Sequence, residues 1–286
     1  MVNTILKLLV IMLLCATPTT AADNIYSPDV YPRTTRAWQT SVNQHSLGGV
    51  SWLGVVPGNG AVDTKHRNRA RATLIYVPST FDRHQPYELV FFFHGLGGFG
   101  SLNGRVGNSV LAMEKQNRNF ILVVPEMPWS ANTSTPRSRQ GYAWRGSRHE
   151  DLNLFYSSVL GILRTTFYID PNIKQITLIG HSAGGSALRS AARSGALDII
   201  RPNLIVFSDA GYGTWTDQTW DNYAARSGTR FVLLVRQGDR PHRHTMRFLR
   251  RFGSQVPENI RLIVYPRRSW SHTRIGNESM ILSHGF

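Results

Sequence analysis

Cysteine is almost missing: one residue, Cys15, stands in 286. No disulfide can form within the chain, and beyond residue 15 there is no thiolate ligand and no cysteine nucleophile. Acidic residues are also scarce. Asp and Glu number 17 against 32 Lys and Arg, a net charge of +15. Nearly all the positive charge is arginine, whose planar fork favours bidentate contact with carboxylate or phosphate. Such a surface attracts polyanions and anionic membranes, but the charge speaks to association and not to chemistry. A long hydrophobic run is lacking too. The apolar stretch 8–14 follows Lys7 and leads into Thr17-Pro18-Thr19-Thr20-Ala21-Ala22. It falls short of the roughly 20 residues that a spanning helix needs. Charged start, short apolar core and small residues form the pattern of a secretory signal peptide. The expectation is a signal over residues 1–22 and one domain over 23–286. It includes no stable membrane anchor after signal removal, and a secreted or periplasmic location. An exported chain without disulfides fits a bacterial enzyme better than a disulfide-rich one.

Other absences narrow the function. No internal repeat, low-complexity tract or interdomain linker interrupts the chain. There is no Gly-rich phosphate loop and no dinucleotide fingerprint. His242 and His244 stand two apart without a carboxylate or cysteine cluster to complete a metal site. No metal and no cofactor is therefore expected. Nor does any recognised nucleic-acid-binding motif accompany the charge, so no nucleic-acid partner is expected.

What is present is a series of short apolar runs, at residues 72–77, 88–93, 120–124, 175–179, 203–207, 231–235 and 260–265. They are rich in β-branched and aromatic residues and lack polar alternation, as strands buried on both faces do. Helical spacing appears between them, over 108–117, 150–167, 186–193 and 244–252. Strands alternating with helices predict an α/β fold, a mainly parallel sheet with helices on both faces. Residues 23–70 are less regular and could cap the sheet or add antiparallel edge strands.

The strongest motif is Gly180-His181-Ser182-Ala183-Gly184, between the run 175–179 and a small-residue helix. Strand, tight turn and helix around G-x-S-x-G form a nucleophile elbow, in which small flanks let the serine hydroxyl stand clear of the sheet. An earlier apolar run ends in Phe93-His94-Gly95-Leu96-Gly97-Gly98. A loop of that kind supplies one backbone N–H to an oxyanion, and the residue after the nucleophile supplies the other. The candidates are Leu96 or Gly95, and Ala183. His94 is expected to shape its loop rather than transfer protons.

From about residue 72 to 272 the chain resembles the α/β-hydrolase superfamily. Tyr76-Val77-Pro78, His94-Gly95 and the Gly180–Gly184 turn are similar to secreted polyhydroxyalkanoate-depolymerase-like and feruloyl-esterase-like enzymes. The resemblance implies a serine nucleophile, Ser182, followed in the chain by an acid and then a histidine. His272 comes just after the last apolar run and is the expected base; His284, near the end, is the fallback. Two carboxylates are open for the acid. Asp239 follows the run 231–235, the usual place, but directly after Gly238 rather than about three residues beyond a glycine. Asp209 follows the run 203–207, among small residues.

The loop 126–148 carries Trp129, Tyr142 and Trp144 with Arg145 and other arginines. Trp129, Trp144 and Arg145 are the substrate-binding candidates; Trp215, in 212–220, would also border the cleft. Arg243, Arg247 and Arg251 fall on one helical face, where a solvated surface is the ordinary outcome. The expected reaction is hydrolysis of a carboxylic ester in a small molecule or polymer, anionic substrates included. Two alternatives stay open: an amidase or peptidase acting on anionic, cell-wall-type substrates with the same residues, and a non-catalytic basic binding protein on a hydrolase scaffold.

Overall fold

Continuous apolarity demands cover on both sides, and the apolar runs up to residue 235 satisfy it by pairing into one sheet between two helix layers, whereas in the run 260–265, at the sheet's edge, only Ile260 is buried. A computed structural model describes residues 49–59, 72–95, 105–127 and 151–283. Among them the strands are β1 (Val50–Val55), β2 (Ala72–Val77), β3 (Tyr87–Phe93), β4 (Phe120–Pro125), β5 (Ile173–His181), β6 (Leu204–Ser208), β7 (Arg230–Arg236) and β8 (Ile260–Tyr265). Their spatial order is β1-β2-β4-β3-β5-β6-β7-β8. β1 and β2 run antiparallel to their neighbours, and β3 to β8 are parallel. Part of the irregular stretch before residue 70 is thus an antiparallel edge strand.

The helices are α1 (Arg105–Lys115), α2 (Leu152–Thr166), α3 (Gly185–Arg193), α4 (Ala196–Ile200), α5 (Trp215–Thr219), α6 (Arg240–Arg250) and α7 (His272–Leu282). α5 runs on through a π turn, Trp220–Ala224, into a last helical turn, Ala225–Ser227. α2 is capped by Asp151, whose carboxylate accepts from the backbone N–H groups of Asn153 and Leu154. α6 begins at Arg240, four residues earlier than the periodicity predicts, because Pro241 sits in its first turn, where a missing N–H costs nothing. α7 is not among the segments with helical spacing in the sequence, the last of which ends at residue 252.

Alternate residues of each strand feed two cores. In β3, Leu89, Phe91 and Phe93 pack with α2, α3 and α6, whereas Val90 and Phe92 pack with α1 and α7. Phe91, Phe92, Phe93, Phe207, Phe231 and Phe248 are all but fully buried. Each such ring stabilises by roughly 2–3 kcal/mol on the area scale. Trp220 meets Phe231, Phe248 and Phe252 edge-on at 5.7, 6.2 and 5.7 Å, fixing the π turn and α6 to the sheet.

Polar ties hold α7 in place. The buried Glu88 carboxylate pairs with Arg118 and accepts from Thr177 Oγ1 at 2.7 Å. Arg118 also donates to the Met280 carbonyl at 3.2 Å, and Ser109 Oγ donates to that of Asn277. Both ends of α7 matter to the site, since its first residue is His272.

Register aligns the ends of the parallel strands. Phe93 lies beside Gly180, His181 beside Ser208, and Ser208 beside Leu234. The segments starting at His94, Ser182 and Asp209 therefore leave one edge of the sheet at one level. Ligands of open α/β sheets bind at that carboxyl edge.

Candidate active site

The chain leaves β5 through a 3-10 turn, Ser182–Gly184, straight into α3. Ser182 has φ +52°, in the left-handed region that L-residues avoid. A non-glycine there costs of order 1–2 kcal/mol, and the surroundings impose it. No side chain fits at the flanks. A Cβ on Gly180 would lie 2.8 Å from the Gly184 carbonyl oxygen, and one on Gly184 would overlap that of Phe93. A Cβ on Gly95 would lie 2.8 Å from Ser182 Cβ, so the loop after β3 is pressed against the serine.

That loop is set by His94, which is fully buried. Its Nδ1 donates to the Gly95 carbonyl at 2.8 Å, and its Nε2 accepts from Met127 N–H at 2.9 Å. One tautomer is thereby selected. Burial pushes the His94 pKa down to about 4, the Gly95 bond opposing it, so the ring is a neutral strut. Ala183 is buried in the turn. Leu96 lies outside the described residues, as do Trp129, Tyr142, Trp144, Arg145, His284 and residues 1–22.

Asp209 ends the next strand in a second strained conformation, φ +45°, with no exposed surface. Its Oδ1 accepts from the Arg236 N–H at 3.1 Å. Its Oδ2 accepts from His272 Nδ1 at 2.6 Å, a charge-assisted length. Of the two carboxylates that the sequence leaves open, Asp209 is the one on the imidazole. Asp239 does not reach it: its Oδ2 is paired with Arg236 Nη1 at 3.0 Å, just before α6.

His272 is one-third exposed. Ser271 caps its helix, its Oγ accepting from Arg274 N–H at 3.0 Å. Beneath it lies His181, the residue before Ser182, with ring centroids 4.7 Å apart. A Cβ on Gly276 would overlap the His181 ring, so α7 can settle there only with glycine at that position. Burial, and next the neighbouring His272, push the His181 pKa down to about 3. No signal in the sequence separated His181 from an ordinary filler of the elbow.

The loop after Asp209 frames the other side. The Tyr212 hydroxyl faces Ser182, which partly offsets the upward pull of burial on its pKa. Tyr212 packs edge-on against Trp215 at 5.6 Å. The next residue, Gly213, is clamped by α6: His244 Nδ1 accepts from its N–H and Arg247 donates to its carbonyl, both at 2.6 Å. Arg243 donates to the Gly238 carbonyl at 2.8 Å, and Arg251 pairs with Asp217 and Asp221. The arginine face of α6 therefore ties down the Gly213 and Gly238 turns, α5 and the π turn, and does not merely meet solvent.

No family model and no curated protein matches the sequence. Solved structures do. An uncharacterised protein from Capnocytophaga ochracea superposes with a TM-score of 0.52 at 14% identity, over 82% of this chain and 62% of that one. The chain thus spans less than two thirds of that protein's length. The siderophore hydrolase EstA from Aspergillus nidulans gives a TM-score of 0.50 at 10% identity, over 84% of this chain and 95% of that one. An S-formylglutathione hydrolase from Agrobacterium tumefaciens gives 0.50 at 14% identity, over 83% and 94%. At such identities the likeness carries the fold alone. With this strand order, these neighbours and the serine turn after β5, the chain has the fold of the α/β-hydrolase superfamily.

Proposed function

We propose that this chain is a secreted serine hydrolase, one domain after loss of residues 1–22, that cleaves carboxylic esters through Ser182, His272 and Asp209. The reading rests above all on the 2.6 Å bond between His272 Nδ1 and the buried Asp209 carboxylate, at the sheet edge where Ser182 is held at positive φ. Asp209 keeps the proton on Nδ1, which leaves the Nε2 lone pair to take the proton of Ser182. As Oγ bonds to the ester carbon, the carbonyl π pair moves onto oxygen. The Ala183 N–H and an N–H from the segment Gly95 to Leu96 donate to that oxyanion, an effect of about 3 kcal/mol per donor in related chemistry. Collapse of the tetrahedral adduct breaks the ester C–O bond, and the leaving alkoxide takes the proton from Nε2. Water then repeats the sequence on the acyl-enzyme, with Asp209 a carboxylate throughout. Trp129, Trp144 and Arg145 would contact the substrate.

The test is labelling with a fluorophosphonate probe, followed by a panel of p-nitrophenyl esters beside peptide amides. Wild type should be labelled at Ser182 and turn over the esters, and Ser182→Ala should do neither. Turnover of amides alone would move the assignment to an amidase or peptidase. A protein that is folded but never labelled would be a binding protein on this scaffold.

A further inference from the structure

A cleft lies on the same edge of the sheet, past the carboxyl ends of β7 and β8. The turns after β7 and β8 border this open cleft of about 590 Å³, lined by Arg236, Gln237, Gly238, Pro266, Arg267 and Arg268. That volume lies within the usual range for small-molecule sites. Each guanidinium nitrogen of Arg236 has a partner: it donates to Asp239 at 3.0 Å, to the Arg267 carbonyl at 3.1 Å and to the Trp270 carbonyl at 2.7 Å. It forms a rigid floor, and it occupies Asp239. Arg267 comes no closer than 3.9 Å to Asp239, with its side chain 68% exposed. Arg268 is exposed and meets no carboxylate among the described residues. Three arginines thus line the cleft, no carboxylate is among its lining residues, and two of the three have donors to offer.

The cleft adjoins the candidate catalytic residues through covalent and hydrogen-bonded links. Arg236, its floor, gives its backbone N–H to Asp209. The turn that carries Arg267 and Arg268 leads within a few residues into His272. Arg236 and Asp209 thus link a group held there to the His272 imidazole.

We propose that this cleft is a subsite for a carboxylate borne by the substrate, gripped by Arg267 and Arg268. The preferred substrates are then esters that keep a free acid group, such as half-esters of dicarboxylic acids. A guanidinium fork matches a carboxylate through two charge-assisted bonds, which neutral acyl groups cannot make. The proposal rests on the ester-hydrolase reading for its catalytic consequence but not for binding.

Two measurements separate the two ideas. The first compares mono-p-nitrophenyl glutarate with p-nitrophenyl butyrate. Wild type should favour the half-ester by about tenfold in kcat/KM at low salt, and the preference should shrink as ionic strength rises. In Arg267→Ala/Arg268→Ala the ratio should fall to near one. In Arg268→Glu it should invert in favour of a quaternary-ammonium ester. The second measures binding of the half-ester to Ser182→Ala by calorimetry, with and without the arginine substitutions; circular dichroism reports that each variant is folded. Arginine-dependent binding without turnover would keep the subsite while removing the ester-hydrolase reading. Equal kinetics for both esters in wild type, or half-ester binding indifferent to both arginines, would overturn the subsite.

Discussion

His181 donates from Nε2 to the carbonyl oxygen of His272 at 3.2 Å. The residue before the candidate nucleophile thus holds the backbone of the candidate base, 91 positions away in the chain. The two rings lie 4.7 Å apart. A charge on His181 would oppose an imidazolium at His272, but burial keeps His181 neutral and its N–H in the donor role.

His181→Phe keeps a ring and removes the donor. It should lower kcat about 10–100-fold with little change in KM, since a small misplacement of a catalytic group can cost about a hundredfold. His181→Asn, which restores an N–H, should recover part of the loss. Gly276→Ala, which forces the ring out of its seat, should resemble His181→Phe. Steady-state kinetics on ester substrate with matched circular dichroism would show it. A loss confined to thermal stability would mean that the contact is only packing.

The two aspartates should separate cleanly. Asp209→Asn would turn an amide N–H toward His272 Nδ1 and favour the wrong tautomer, so kcat should drop by about 10³–10⁴-fold. Asp239→Asn breaks a partly exposed pair with Arg236. It should cost at most about 1 kcal/mol of stability and little activity. Comparable losses for both would remove Asp209 from its assigned place.

The sheet and the serine turn were legible in the sequence because each is written locally. Seven predominantly apolar runs announce strands, and Gly180, Ser182 and Gly184 announce a turn with no space for side chains. The acid was not legible, because Asp209 and Asp239 end adjacent parallel strands and only tertiary register decides which reaches the imidazole. α7 was hidden for a different reason. Gly276, Asn277 and Ser279 interrupt its apolar pattern, and they are buried against neighbours rather than exposed. The glycine is there for the His181 ring, a requirement that appears only once the chain has folded.

Strain at the nucleophile should be measurable as stability. Ser182→Gly accepts φ +52° without steric penalty. It should abolish turnover and raise unfolding free energy by about 1 kcal/mol, the cost of the left-handed conformation. Gly184→Ala should do the reverse, because its methyl meets the Phe93 carbonyl. A loss of about 1–3 kcal/mol is expected, as for overpacked sites. Denaturant melts of the variants beside wild type would decide it; a destabilised Ser182→Gly would mean that the turn holds no strain.

Acid should unfold the protein through two buried histidines. His94 and His181 titrate near 4 and 3 when folded, against 6.5 when free. Between these values the unfolded chain binds more protons than the native one, so stability rises with pH. The contribution of each ring is complete above pH 6.5 and shrinks as pH falls through its folded value. Each can remove up to about 1.4 kcal/mol per pH unit in that window. His94→Gln, with an amide in place of the ring, should flatten the stability–pH curve between about pH 6.5 and 4 even where it lowers the stability at neutral pH. Urea melts of wild type and variant across pH 4–8 would test the slope. An unchanged slope would mean that the His94 ring is not held neutral between Gly95 and Met127.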